Sequence, residues 1–183
     1  MRVFKFGGAS VKDADGIKNV YDVLQKAGYE DVLLVVSAMG KTTNALEVVI
    51  KNYFDKSPEL NASVQEIKKY HNQILLDLFE DDKHEVFAAV QNHFTDLEYF
   101  LAHNKSPNYN FVYDQIVSMG EIISTTVLSY YMNFMGIETQ WIDVRNYIKT
   151  NNNYRDAEVD WELTQSNISK NIKTKSLNIT QGF

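Results

Sequence analysis

An α/β fold with a largely parallel sheet is the class that this sequence predicts, and three observations carry the prediction. Val32-Leu33-Leu34-Val35-Val36 is a continuous apolar run of strand length, the pattern of a strand buried on both faces. An apolar opening segment, Val3 to Phe6, precedes it by one amphipathic helix, so strand, helix and strand fit within about 35 residues as a parallel βαβ unit. Loops of small, polar and charged residues follow the predicted strands, where open parallel sheets bind their ligands.

The elements follow in chain order. Asp13 is placed to cap a helix running to about Ala27, with Ile17, Val20, Tyr21 and Leu24 on its apolar face and Gly28 as its stop. After the second strand, Leu46, Val49, Ile50 and Tyr53 mark a helix that Ser57-Pro58 ends. Residues 60–105 carry helical periodicity and no strand signal, which predicts a helical insertion between the second and third strands. One stripe is Ile67, Tyr70, Ile74, Leu75 and Leu78; the other is Val86, Val90, Phe94, Leu97 and Leu101, with a break at Asp81-Asp82. Beyond Ser106-Pro107, Phe111 to Phe134 reads as one long apolar helix ended by Gly136. Glu138 to Ile142 is a third strand, 150–156 a loop, Trp161 to Lys173 a weaker helix, and Leu177 to Thr180 a fourth strand. If the strands are parallel, Lys5 to Ser10, Ser37 to Asn44, Asp143 to Arg145 and Gln181 to Phe183 converge on one sheet edge.

Composition narrows the function. The 183 residues carry a net charge of -6 with no basic block, which argues against nucleic acid as the main partner. The absence of cysteine removes disulfides, thiolate zinc sites and cysteine nucleophiles. No apolar run approaches the roughly 20 residues that span a bilayer, and the N-terminus has no secretory core, so the expected location is cytoplasmic. His71, His84, His93 and His103 form no metal-ligating spacing, so no metal site is expected on the protein.

Three local features carry chemistry. In Lys5-Phe6-Gly7-Gly8-Ala9-Ser10-Val11, adjacent glycines are expected to adopt angles closed to other residues and to let the backbone approach a ligand. A lysine and a hydroxyl beside them make a small anion site, with a nucleotide phosphate the favoured anion; a tight turn with no ligand is the alternative. Gly40-Lys41-Thr42 imitates the end of a phosphate-binding P-loop, but the required earlier glycine is Val35, inside a strand, so that reading fails. The loop still offers Ser37 and Thr43 as donors to a polar small molecule. Glu121 is a carboxylate inside an apolar helix, and a buried carboxylate needs a partner: a substrate ammonium or a neighbouring Lys or Arg.

Taken together, the ordered blocks resemble the N-terminal part of an aspartate kinase, in the amino acid kinase superfamily. Lys5 to Val11 is similar to the signature KFGGTSV, with Ala9 for threonine; Val35 to Asn44 resembles the second signature, and Ser118-Met119-Gly120-Glu121 the S-x-G-E block. Trp141 to Arg145, Thr150-Asn151 with Tyr154 and Ala157, and Ile179 to Phe183 resemble later blocks in the right order. The resemblance implies a three-layer αβα sandwich and transfer of the ATP γ-phosphoryl to the side-chain carboxylate of L-aspartate, giving 4-phospho-L-aspartate on the route to lysine, threonine and methionine. By position, Lys5 is the catalytic residue balancing phosphate charge, and Phe6, Gly7, Gly8 and Ser10 join it around the phosphates. Ser37 and Thr43 would bind aspartate, Glu121 its ammonium, and Phe183 would line the substrate site. Mg²⁺ would ride on ATP. Met39 stands where the family usually has a small residue. The family continues with a G-R-G-G-S-D loop, the nucleotide-base site and ACT domains. The chain is therefore expected to be an N-terminal portion, inactive alone, with any homodimer using another surface such as the helical insertion. Glutamate or acetylglutamate kinase, and a non-catalytic amino-acid-binding module, are the competing readings.

Overall fold

A computed structural model describes residues 1–171 and 177–182. Strands β1 (Arg2–Phe6), β2 (Val32–Val36), β3 (Thr139–Ile142) and β4 (Leu177–Gln181) form one all-parallel sheet in the order β1-β2-β4-β3. The central strand β4 is buried along its whole length, which a strand between two helix layers requires. The register sets Phe6, Val36 and Gln181 in one row, and Lys5, Val35, Thr180 and Ile142 in the next.

Helix α1 (Ala14–Ala27) begins where the Asp13 side chain accepts the Gly16 N–H at 2.8 Å. It ends at Gly28, whose φ of +80° is closed to most side chains. Between β2 and β3 come α2 (Thr42–Phe54), α3 (Leu60–Leu78), α4 (Glu85–His103), α5 (Tyr109–Val117) and α6 (Met119–Phe134); α7 (Trp161–Asn171) follows β3. The connections β1 to β2 and β2 to β3 step the same way across the sheet, and β3 to β4 steps back. Right-handed crossovers then put α1 to α6 on one face and α7 on the other, giving three layers. Val32, Leu34, Val36, Leu177 and Ile179 face the thick helical layer and are fully buried.

The helical insertion is present as α3 and α4. The long helix expected over Phe111 to Phe134 is instead two helices meeting at Ser118. The break has a packing reason. Gly120 lies so close to the β2–α2 loop that a Cβ there would come 2.8 Å from the Ala38 Cβ, so α6 restarts to lay its first turn on that loop. Asn171 ends α7 among the described residues; the predicted continuation to Lys173 lies outside them. Among the described residues, no helix is long and apolar enough to cross a membrane.

Candidate active site

The four strand ends meet as the parallel reading requires. The Ser37 N–H donates to Phe6 O at 3.1 Å, the Gly182 N–H to Val36 O at 3.1 Å, and the Gly40 N–H to Gly8 O at 2.9 Å. Ser37 Oγ donates to Gly182 O at 3.3 Å. The first turn, the β2 loop and the end of β4 are thus one hydrogen-bonded unit.

The glycines of the first turn act differently from the expectation. Neither has a positive φ; Gly7 sits at φ -79°, a value any residue adopts. Gly8 is needed for close approach, because a Cβ there would lie 2.5 Å from Ala38 O and 3.1 Å from Gly40 O. A Cβ on Gly7 would meet nothing within 4 Å, so its flank is open to a ligand. Gly8→Ala is therefore expected to cost about 1–3 kcal/mol, as overpacking against backbone does. Gly7→Ala should leave the melting temperature nearly unchanged; a thermal melt of both variants checks the contrast. In the loop it touches, Gly40 does need its freedom, with a φ of +53° and the Tyr70 hydroxyl over it. That hydroxyl donates to Lys12 O, so α3 of the insertion is fastened to both loops.

Glu121 stands in the first turn of α6, 5% exposed. Its Oε1 accepts the Ala38 N–H at 3.2 Å, while Oε2 is buried with no partner among the described residues. No Lys or Arg pairs with it among the described residues. Burial raises its pKa, and the Ala38 hydrogen bond offsets only part of that rise. Of the two partners that sequence reasoning left open, the cationic side chain is not found among the described residues. A carboxylate oxygen remains beside Ser37 and Ala38, able to accept from a donor that enters.

The other candidate residues lie around this unit. Lys5 is exposed, on the opposite sheet face from α6, and makes no ion pair among the described residues. Ser10 is exposed in the Gly8–Val11 turn, its N–H donating to Gly7 O at 2.9 Å. Thr43 is half-buried in the first turn of α2, where helix amides lack intrahelical partners. Neither hydroxyl has a hydrogen bond among the described residues. Phe183 lies outside the described residues. Met39 is fully buried, so its bulk goes into the core and not into the site. Among the described residues no three His, Asp or Glu side chains group to hold a metal. A cleft of about 790 Å³ between α4, α6 and β3 lies further along α6, from Thr126 to Phe134, away from Glu121.

The profile of the amino acid kinase family matches residues 1–183. The chain belongs to the amino acid kinase family. Lysine-sensitive aspartokinase 3 of Escherichia coli K12 is 29% identical over 194 residues, taking in 99% of this chain and 40% of that protein. The chloroplastic aspartokinase 1 of Arabidopsis thaliana is 30% identical over 147 residues, taking in 77% of this chain and 25% of that one. The crystal structure of E. coli aspartokinase III in complex with aspartate and ADP superposes with a TM-score of 0.81 at 27% identity, over 100% of this chain and 40% of that chain. The chain spans 25% to 40% of these relatives' own length.

In this member of the amino acid kinase family, Ser124 and Thr125 beside the candidate site escaped the sequence reading, and Gln181 was placed at the sheet edge without a role. Ser124 Oγ lies 2.9 Å from Ser37 O, Gln181 Nε2 donates to Thr125 Oγ1 at 2.7 Å, and Gln181 Oε1 accepts the Val144 N–H at 2.8 Å. The available signal was hydroxyls at three and four residues past Glu121 in an apolar helix. Arg145, the cation nearest this end of β3, is already paired to Asp143 at 2.6 Å.

Proposed function

We propose that this chain serves phosphoryl transfer from ATP to the side-chain carboxylate of L-aspartate, giving 4-phospho-L-aspartate. The observation that carries the reading is Glu121 Oε2, buried and unpartnered at the joint of three strand-end loops. A substrate ammonium fits it, because an uncompensated buried carboxylate is costly and a charge-assisted hydrogen bond repays that cost. Ser37 and Thr43 would hold the rest of the amino acid, and Phe183 would line its site. The open flank of Gly7, the turn amides and Lys5 would face the phosphates. The chemistry asks for little more from these residues. A carboxylate nucleophile has no proton to remove, so positioning and charge neutralisation suffice. Mg²⁺ is assigned to the ATP phosphates, where it would neutralise charge. The relatives' names and the aspartate and ADP bound in the E. coli structure support the same reading. A cytoplasmic location goes with it.

Calorimetric titration with aspartate, glutamate and N-acetylglutamate tests the site. Aspartate should bind more tightly than glutamate by about 10- to 100-fold, the usual reach of one methylene in a fitted pocket. N-acetylglutamate, which has no ammonium, should give no heat. Lys5→Ala should leave the aspartate titration unchanged, since Lys5 belongs to the phosphate side. Binding of N-acetylglutamate as tight as that of aspartate would overturn the assignment of Glu121.

A further inference from the structure

The hydrogen bonds behind Glu121 favour one proton order. Gln181 Oε1 accepts the Val144 N–H, so the side of Gln181 that faces Thr125 must be its NH₂. Trp141 Nε1, which can only donate, also reaches Thr125 Oγ1, at 2.9 Å. With both lone pairs occupied, the single Thr125 proton must leave toward the helix carbonyls, and Glu121 O at 2.8 Å is nearer than Ile122 O at 3.2 Å. Ser124 Oγ stands between Glu121 O at 3.0 Å and Ser37 O at 2.9 Å. The Thr125 hydroxyl crowds the Glu121 carbonyl, and Ser37 O is the nearer of the two acceptors for the Ser124 proton. Ser37 in turn donates to Gly182 O, the residue after Gln181, and the ring closes.

We propose that Gln181 and Thr125 are positioning residues, whose hydrogen bonds favour the order that ties the Glu121 turn of α6 to the Ser37 loop. The proposal rests on the reading of Glu121 and Ser37 as the amino-acid side of the site. Gln181, Thr125 and Ser124 are all buried, so water does not compete for these bonds. They reach the site through the backbone carbonyls of Glu121 and Ser37, and none of them needs to touch substrate. Removing the Thr125 hydroxyl leaves two N–H donors without an acceptor and lets the Ser124 proton turn back to Glu121 O. The Ser37 loop then keeps the Ala38 N–H bond to Glu121 Oε1 and loses its Ser124 tie to α6.

The test compares Thr125→Val, nearly isosteric without the hydroxyl, with Thr125→Ser, which keeps the hydroxyl and loses a buried methyl. Thr125→Val should weaken aspartate binding by about threefold to tenfold, the range of one buried hydrogen bond. Thr125→Ser should bind like wild type although it melts lower. A second readout needs no substrate: the pH titration of the Glu121 carboxyl ¹³C signal, assigned by its loss in Glu121→Gln. In Thr125→Val this titration should move toward the ordinary carboxylate range as the turn loosens and hydrates, and in Thr125→Ser it should stay in place. If both variants shift binding and titration alike, in step with their melting temperatures, Thr125 only packs and the proposal is overturned. An unmoved titration in Thr125→Val also overturns it. If wild type shows no heat with aspartate, the substrate reading fails, and the carboxyl titration still decides the positioning role.

Discussion

Replacing Glu121 by Gln is expected to weaken aspartate binding by about 10- to 100-fold, the range of one hydrogen bond to a charged group. The same change should leave the folded protein as stable or make it more so. Both effects come from one atom. In the protein alone, Oε2 is a buried carboxylate oxygen with no donor, and desolvation with no compensating bond opposes folding. Glutamine keeps an acceptor for the Ala38 N–H and removes the charge. The pH dependence has a definite sign. Burial raises the folded pKa of Glu121 above its unfolded value, so the group's relative contribution to stability is present below the unfolded pKa and lost as pH rises through the folded one. The gain from Glu121→Gln should thus be largest at neutral pH and vanish in acid. Aspartate affinity runs the other way: it needs the ionised carboxylate and falls as pH drops through the raised pKa. Calorimetry and thermal melts across pH check both. Unchanged aspartate affinity in Glu121→Gln would remove Glu121 from the site.

The sheet was legible because its signals are local. The apolar run Val32 to Val36, the Asp13 cap and the Gly28 stop each act within a few residues, and each stands where its pattern places it. Parallel pairing then forces the loop ends together, so the location of the candidate site was readable before its contacts were. What stayed hidden depends on tertiary contact. Nothing local in Phe111 to Phe134 shows that Gly120 must rest on Ala38, and that contact splits the helix at Ser118. The glycine pair suggested unusual backbone angles, whereas Gly8 is set by the carbonyls of Ala38 and Gly40, some 30 residues away. The partner of Glu121 was open between a ligand and a cationic side chain, because the residues that surround it arrive from β2 and β4. Gln181 and Thr125 are 56 residues apart and become a pair only when β4 lies against α6.

His71 should make the protein acid-labile well above the pH at which carboxylates protonate. It is fully buried on α3, edge-on to Phe94 at 5.8 Å, with Nδ1 2.8 Å from Ile67 O. A carbonyl can only accept, so Nδ1 carries the proton, and Nε2 is a buried acceptor without a partner among the described residues. Burial lowers the pKa to about 4, only partly opposed by the bond to Ile67. The unfolded chain takes up its proton near pH 6.5. The contribution of neutral His71 is therefore complete above that pH and is lost as pH falls toward 4, by about 3 kcal/mol in all. For a chain of this length that corresponds to about 6–12 °C in melting temperature. His71→Leu should remove this part of the slope between pH 6.5 and 4; parallel loss in variant and wild type would show that other groups carry it. The location adds a consequence for the site. Tyr70, the next residue, fastens α3 to Lys12 O and covers Gly40, so opening of α3 in acid should also free the two loops. The two titrations are separable. The acid loss of aspartate binding that belongs to Glu121 should persist in His71→Leu, while the acid unfolding that belongs to His71 should not.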